Sequence, residues 1–395
     1  MRSVIYITNT QLPSQKANTY QSMCMCEAFA ANGVAIELWH PARKEDYQGN
    51  SPSNIEDSIQ NVFEIYNIAP LFPLRRLFSI DSHWLQKRSE KAWFYLQNFS
   101  FWLSCIISLQ KDRSEKVIFI RDIMALVVFS KAKSVGLIRQ KIIFEAHKYS
   151  KFISKYADTA DALIIISQQL KDQVSLNNPE NALVVHAGVR EEDLIHQKQT
   201  TERLTLRKNK DEKIILYTGN FFRWKGVYTL VDCITYLPNN YRIVFVGGSR
   251  DTLSRFRNDT SEISQIEVVG FKHRREINSY LRAADILILP NSAQYDEQSY
   301  ITSPLKLFEY MAAKKPIVAS RLPSIQEVLR DQENAILFSP DNAKDLADKI
   351  QWAVNNDCSS LVEQAWQEVQ TRTWNERAKK IIQKLGPSEP ACFEA

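Results

Sequence analysis

Short apolar runs alternate with amphipathic stretches along most of this chain. Val4-Ile5-Tyr6-Ile7 predicts a buried strand, and a polar loop follows from Asn9 to Lys16. Helical periodicity then runs from about Asn18 to Ala31, with Met23, Cys26 and Ala30 on the inner side, and Asn32-Gly33 ends it. Val34 to Trp39 predicts a second strand, stopped by His40-Pro41, and residues 42–60 are polar and read as loop. Val117–Ile120, Lys141–Phe144, Ala162–Ile166 and Leu183–Val185 predict further buried strands, with helical segments between them. Alternation of this kind implies parallel sheets with crossover helices.

From about Glu191 to Lys213 the chain turns polar and charged, and Gln197 to Lys210 is nearly free of large apolar groups. The alternation then restarts. Ile214–Tyr217 is a strand and Val227–Leu237 a helix; Arg242–Val246, closed by Gly247-Gly248, is the next strand. Ile266–Val269, Ile286–Leu289 and Ile317–Ala319 continue the series. The expected fold is α/β, two Rossmann-like doubly wound domains over residues 1–195 and 205–372. Ligands of such sheets sit beyond the carboxyl ends of the strands, so the default site is a cleft between the domains.

One segment breaks the pattern. Between Leu71 and Lys111, aromatic side chains (Phe72, Phe78, Trp84, Trp93, Phe94, Tyr95, Phe99, Phe101, Trp102) interleave with Arg75, Arg76, Lys87 and Arg88 on predicted helices. For Trp93 to Leu109 the expectation is a helix with its aromatic side in the core. For Arg75 to Lys87 a second reading stands beside that one: contact with an anionic bilayer or a lipid-phosphate acceptor. The basic-aromatic stretch 71–102 is therefore a candidate for peripheral membrane contact.

Composition narrows the class. The 395 residues are 44% hydrophobic and 24% charged, as in a soluble globular protein, and suggest two or three domains with real cores. Ten glycines argue against repeats and long Gly-rich linkers, and a formal charge of +5 without a sustained basic run argues against nucleic acid as a partner. The six cysteines show no zinc-ligand spacing, which fits buried thiols in a reducing cytosol. The N-terminus enters a strand directly, so no signal peptide is expected. No uninterrupted apolar run reaches the roughly 18 residues a spanning helix needs. The expected location is cytoplasmic, with peripheral contact at the inner face of the membrane as an open possibility.

The densest chemistry lies in Ser303-Pro304-Leu305-Lys306-Leu307-Phe308-Glu309-Tyr310-Met311-Ala312. Ser303 suits an N-cap, and Pro304 suits the first helical position because its missing N–H would be unpaired there anyway. The N–H groups of Leu305, Lys306 and Leu307 are then expected at the positive end of the helix dipole, which binds phosphate. Glu309, one turn further in, is placed to accept from two ribose hydroxyls. The plain alternative is an amphipathic helix with a solvated Glu.

With this run, Lys315-Pro316-Ile317-Val318-Ala319-Ser320 behind it, and the segments Tyr217-Thr218-Gly219-Asn220-Phe221-Phe222-Arg223-Trp224-Lys225-Gly226 and Phe144-Glu145-Ala146-His147, the chain resembles a known family. It is similar to the nucleotide-sugar-dependent glycosyltransferases of the GT-B fold, specifically the bacterial family-4 group of retaining enzymes. Asn9–Ser14, Ala17-Asn18 and Gln21 also match that group, and Trp374-Asn375-Glu376-Arg377-Ala378 resembles the start of its last helix. In the family that helix crosses back onto the first domain, which implies the same for residues 374–386.

The resemblance implies roles. Lys225 looks like the basic residue that neutralises the donor diphosphate; a fixed ammonium beside aimed N–H groups does this at little reorganisation cost. Glu309 resembles the ribose-binding Glu. His147 looks like the histidine that faces the transferred sugar. Gly219, Asn220, Arg223, Lys225, Ser303, Pro304, Leu305, Lys306, Leu307 and Glu309 form the expected donor site, with Asn18, Thr19 and Arg121 on the acceptor side. For Arg121 an Arg–Asp surface pair with Asp122 is the alternative. The implied reaction moves a sugar, with retention, from a UDP- or GDP-linked donor to a glycan, lipid-linked or small-molecule acceptor. The nucleotide sugar is a co-substrate, and no metal or other cofactor is implied.

Three departures from the family pattern stand out. Ile301 occupies the position of the first Glu of the family's paired-Glu motif, with Asp296 or Glu297 as possible replacements. Asn220 stands where many members carry Arg, a charge Arg223 could supply. Asn18-Thr19-Tyr20 lies where a Gly usually follows the first strand. Two other functions share the same donor residues: a catalytically degenerate nucleotide-sugar-binding scaffold and a sugar-nucleotide epimerase or hydrolase. Dinucleotide oxidoreduction lacks the Gly-rich fingerprint, and Ser–His–Asp hydrolysis lacks a nucleophile elbow.

Overall fold

The computed structural model describes residues 3–14, 16–42, 62–112, 114–194, 211–295 and 304–386. The chain divides into two compact units: Met1–Ile166 with Leu170–Val185 and Trp374–Ala395, and Ser167–Gln169 with His186–Thr373. The first unit thus gives way at Val185, earlier than position 195, and it includes the helix Trp374–Lys384.

The first unit is built on a seven-stranded parallel sheet in the order β3-β2-β1-β4-β5-β6-β7. Its strands are β1 Ser3–Ile7, β2 Ala35–Ala42, β3 Leu74–Phe78, β4 Val117–Ile120, β5 Lys141–Ala146, β6 Ala162–Ile165 and β7 Ala182–Val184. The inner strands are almost wholly buried, which is why they read as unbroken apolar runs: helices cover both faces of a parallel sheet. Tyr6 stacks on Phe119 at 4.9 Å across β1 and β4. The helix Ala17–Ala31 is buried over most of its surface, because β2 and the helix Trp374–Lys384 both pack on it.

Two expectations are corrected here. His40-Pro41 does not stop β2, which continues to Ala42. β1 accompanies it only as far as Trp39, and beyond that only β3 flanks it, so the missing proline N–H falls where no second ladder needs it. Leu74–Phe78 is the edge strand β3, not a helix, with its arginines exposed and Arg75 over the Trp39 ring at 4.7 Å.

The second unit carries a six-stranded parallel sheet in the order β10-β9-β8-β11-β12-β13. Its strands are β8 Lys213–Gly219, β9 Tyr241–Gly247, β10 Ile266–Gly270, β11 Ile286–Leu289, β12 Ile317–Ser320 and β13 Ile336–Phe338. β13 is too short to stand out in the pattern. An aromatic cluster of Phe221, Phe245 and Phe256 fills the space beside β8 and β9, with Phe221 and Phe256 at 4.6 Å. Each unit has the strand order of a doubly wound Rossmann-like sheet, as the alternation predicts.

Candidate functional site

In the second unit the strand order reverses between β8 and β11, the point where ligands of such sheets bind. The loop leaving β8 ends in a short 3₁₀ turn, Arg223–Lys225, followed by Gly226 in the left-handed region at φ +69°. A Cβ at 226 would sit 1.7 Å from the Pro290 carbonyl oxygen. Only glycine allows that approach. The Ser292 N–H donates to the Trp224 carbonyl at 3.1 Å, so the loop after β8 is fastened to the residues that follow β11. This fixes Lys225 at the reversal point. Its ammonium lies over the Trp224 ring at 3.7 Å, and burial pulls its pKa down to about 7.

The helix Leu305–Ala312 approaches the same strand end. Lys306 is buried; its ammonium donates to the Thr218 carbonyl at 2.8 Å and lies 3.7 Å over the Tyr217 ring. The Tyr310 hydroxyl accepts from the Thr218 N–H at 2.9 Å, so the helix is stapled twice to β8. Burial, then the charge of Lys225, push the Lys306 pKa well below the ordinary lysine range, against the opposing pull of Glu309. Both lysines thus hold their protons less firmly than usual, and a bound oligoanion would favour their charged forms.

The helix start differs from expectation by one residue. Pro304 is the N-cap rather than the first helical position, and Ser303, Ile301, Asp296 and Glu297 lie outside the described residues. The Leu307 N–H is not free, because it donates to the Pro304 carbonyl at 3.0 Å, which leaves Leu305 and Lys306 as the leading donors of the turn. Glu309 is buried and ion-paired with Arg274, itself 3.8 Å from Asp193. It is not the solvated carboxylate of the plain alternative.

Other expected donor residues lie apart from the two lysines. The Asn220 side-chain oxygen accepts from the Phe221 N–H at 2.7 Å and the Thr252 hydroxyl at 2.6 Å, so it shapes the loop. Arg223 is exposed, with its guanidinium over the Tyr228 ring at 4.4 Å, and it does not join Lys225. Gly219 passes close to Lys306: a Cβ there would lie 3.1 Å from the ammonium nitrogen.

The first unit gathers a second cluster where its strand order reverses between β1 and β4. Arg121, just past β4, reaches back to the first turn of the helix Ala17–Ala31. It donates to the Asn18 carbonyl at 3.1 Å, the Ser22 hydroxyl at 3.3 Å and the Gln21 side chain. Asp122 is not its partner. That carboxylate caps the helix Ile123–Ser134, accepting from the Met124 and Ala125 N–H groups. Arg121 also meets His147, with Nε 2.7 Å from ring Nε2 and Nη2 3.0 Å from Nδ1. Thr19, expected on the acceptor side, is fully buried, while Asn18 is exposed.

β5 extends through Ala146, so Glu145 is a strand residue with its side chain 2% exposed. One carboxylate oxygen bonds His147 Nε2; the other lies 3.0 Å from Arg377 Nη2, on the helix Trp374–Lys384, whose side chain is also 2% exposed. Burial alone would raise the Glu145 pKa, but Arg377, His147 and Arg121 together hold it well below the ordinary carboxylate range. Burial, reinforced by Arg121, lowers His147 to about 4 against the pull of Glu145. His147 is therefore a neutral imidazole at neutral pH, held on two sides by fixed charges.

Residues 198–372, which span nearly all of the second unit, match the family model of the glycosyl transferases group 1. The second unit is a group 1 glycosyltransferase domain. An uncharacterized glycosyltransferase of Methanocaldococcus jannaschii is 27% identical over 208 residues, 52% of this chain and 54% of its own. The chain spans about half the length of the curated relatives it matches. HepE of Anabaena, solved with UDP bound, superposes with a TM-score of 0.71 at 14% identity, covering 98% of this chain and 99% of its own. Sucrose-phosphate synthase from Thermosynechococcus elongatus does so with a TM-score of 0.73 at 20% identity, covering 96% and 97%. At these identities the likeness shows the fold: two parallel-sheet α/β Rossmann-like domains of GT-B type. Neither Arg274 nor the Glu145–Arg377 pair figured as a site residue in the sequence. Arg377 sits on an amphipathic helix where a charge ordinarily faces solvent, and the only hint of Glu145 is its place beside His147.

Proposed function

We propose that the protein is a glycosyltransferase that moves a sugar from a UDP- or GDP-linked donor to a glycan, lipid-linked or small-molecule acceptor, without a bound metal and with retention. The observation that carries this reading is the pair Lys225 and Lys306 at the reversal point of the second sheet, one fixed in the loop after β8 and over the Trp224 ring, the other buried and bonded to the Thr218 carbonyl at the end of the same strand. A nucleoside diphosphate supplies the charge that pair lacks. The UDP bound to HepE, a protein of the same fold, supports the donor class.

In this reading the diphosphate rests against Lys225, Lys306 and the leading N–H groups of Leu305 and Lys306. Glu309 exchanges part of its pairing with Arg274 for the ribose hydroxyls. As the bond from the anomeric carbon to the phosphate oxygen breaks, the two lysines stabilise the developing charge on the leaving group. The acceptor oxygen bonds to the anomeric carbon on the same face, and its proton passes to the departing phosphate. His147 turns its neutral ring to a sugar hydroxyl in exchange for part of its contact with Arg121, and Asn18 and Arg121 contribute to the acceptor side.

Lys225→Ala tests the reading. Calorimetric titration with UDP and GDP should show affinity for the preferred nucleotide falling about thirtyfold, about 2 kcal/mol for a lost charge-assisted contact, with transfer rates falling in parallel. Unchanged affinity and turnover in that variant would place the diphosphate elsewhere and end the proposal.

A further inference from the structure

The helix Glu90–Lys111 has its polarity reversed on two sides. No charged residue occurs between Lys91 and Lys111. Its inner side buries Phe101, Trp102, Cys105, Ile106 and Leu109, together with the polar Gln97, Asn98 and Ser100. Two of those polar side chains bond to the segment before the helix. Gln97 donates to Asp81 at 3.2 Å, and the Ser100 hydroxyl accepts from the Ile80 N–H at 2.8 Å. The outer side presents Tyr95, Phe99, Leu103 and Ile107, one per turn, with exposures of 61%, 58%, 48% and 45%. The expectation of an aromatic side turned into the core thus holds for only one face. A helix solvated by water carries charges on such a face, not an unbroken apolar stripe.

The neighbouring elements add further exposed aromatic side chains and charge. β3 and the helix His83–Arg88 both pack on this helix and expose Phe78 and Trp84. Arg75 and Arg76 on β3, Lys87 and Arg88 on the short helix, and Lys91 at the start of Glu90–Lys111 are all exposed, with Arg75 4.0 Å from Glu37. Asp81 is turned inward, accepting from Trp93 Nε1 at 2.9 Å. Exposed aromatic and aliphatic side chains beside a predominantly cationic group, five cations against Glu90, match the chemistry of an anionic bilayer surface. Two copies packed through this face with their helices parallel would set cations against cations, which disfavours that form of self-association. No helix among the described residues is long and apolar enough to cross a membrane.

We propose that the Tyr95–Phe99–Leu103–Ile107 stripe, with Phe78, Trp84 and the five cations beside it, seats the protein on an anionic lipid bilayer, the helix lying in the interface plane. The proposal does not depend on the donor-site reading. The test is sedimentation of the full chain with vesicles of phosphatidylcholine alone and of phosphatidylcholine mixed with phosphatidylglycerol. Binding is expected with the mixed vesicles and should weaken as salt rises. The double variant Phe99→Glu/Leu103→Glu should remain in the supernatant while keeping its melting temperature and UDP or GDP affinity, because both side chains are exposed. Lys87→Glu and Arg88→Glu should each weaken binding by about fivefold or more. Wild-type protein that ignores both vesicle types, binds both equally, or forms a dimer that Phe99→Glu dissociates would overturn the proposal.

Discussion

Replacing Arg377 by Met removes the cation that faces Glu145 while keeping most of the side-chain volume. Both side chains are 2% exposed and their charged atoms are 3.0 Å apart, so water cannot take over the arginine's part. Deleting one partner of a buried pair costs about 3–5 kcal/mol, mostly because the remaining charge is stranded. His147 and Arg121 still face Glu145 in the variant, so the lower end, about 3 kcal/mol, is the expected loss. Peptide-resolved hydrogen exchange reads this directly. Protection should fall in Lys141–Ala146 and Trp374–Lys384 and stay unchanged in the second unit. Acid dependence gives a second reading. Glu145 and His147 both have folded pKa values below their unfolded ones, so the unfolded chain binds protons first as pH falls. Wild-type stability is therefore greatest above about pH 6.5. It declines by up to about 1.4 kcal/mol per pH unit per proton, through His147 down to about pH 4 and through Glu145 below that. Without Arg377 the Glu145 shift shrinks, and the limb below about pH 4 should flatten. A loss under about 1 kcal/mol, or an unchanged acid limb, would refute the view that this pair is buried and mutually neutralising.

Two further outcomes follow from the second unit. Gly226→Ala forces a Cβ against the Pro290 carbonyl at a positive φ, so the loop carrying Lys225 must shift; thermal unfolding should show a loss on the order of 2 kcal/mol, and nucleoside-diphosphate affinity should fall with it. Lys225 has a folded pKa of about 7, below its unfolded value, so stability of the free protein should rise with pH from about 7 towards 10. A bound diphosphate raises that pKa again, so calorimetry at pH 7.5–8 in buffers of differing ionisation enthalpy should show net proton uptake on UDP or GDP binding, absent in Lys225→Ala.

The strands were legible because a parallel sheet buried on both faces fills its interior mostly with β-branched, aliphatic and aromatic residues, as Ile286–Leu289 and Ala162–Ile165 illustrate. The edge behaved differently. β3 is flanked on one side only, so Leu74-Arg75-Arg76-Leu77-Phe78 keeps exposed arginines and imitates a helix face. The motif around Lys225 could be located through its family resemblance, and the structure adds why Gly226 closes it. The couplings between motifs could not. Arg274 meets Glu309, and Arg377 meets Glu145, only after separate elements have folded together. Arg223 and Asn220 illustrate the converse, since a position beside Lys225 in sequence does not ensure a side chain directed with it.

The first unit is interrupted in sequence by the whole of the second. During synthesis Glu145 leaves the ribosome long before Arg377 does. A nascent chain that has released only residues up to Val185 holds a strand whose acidic group has no guanidinium from Trp374–Lys384 to meet it. Completion of that sheet's surroundings thus waits on translation of everything in between, and the helix Trp374–Lys384 acts as the clasp that closes a unit begun well before it.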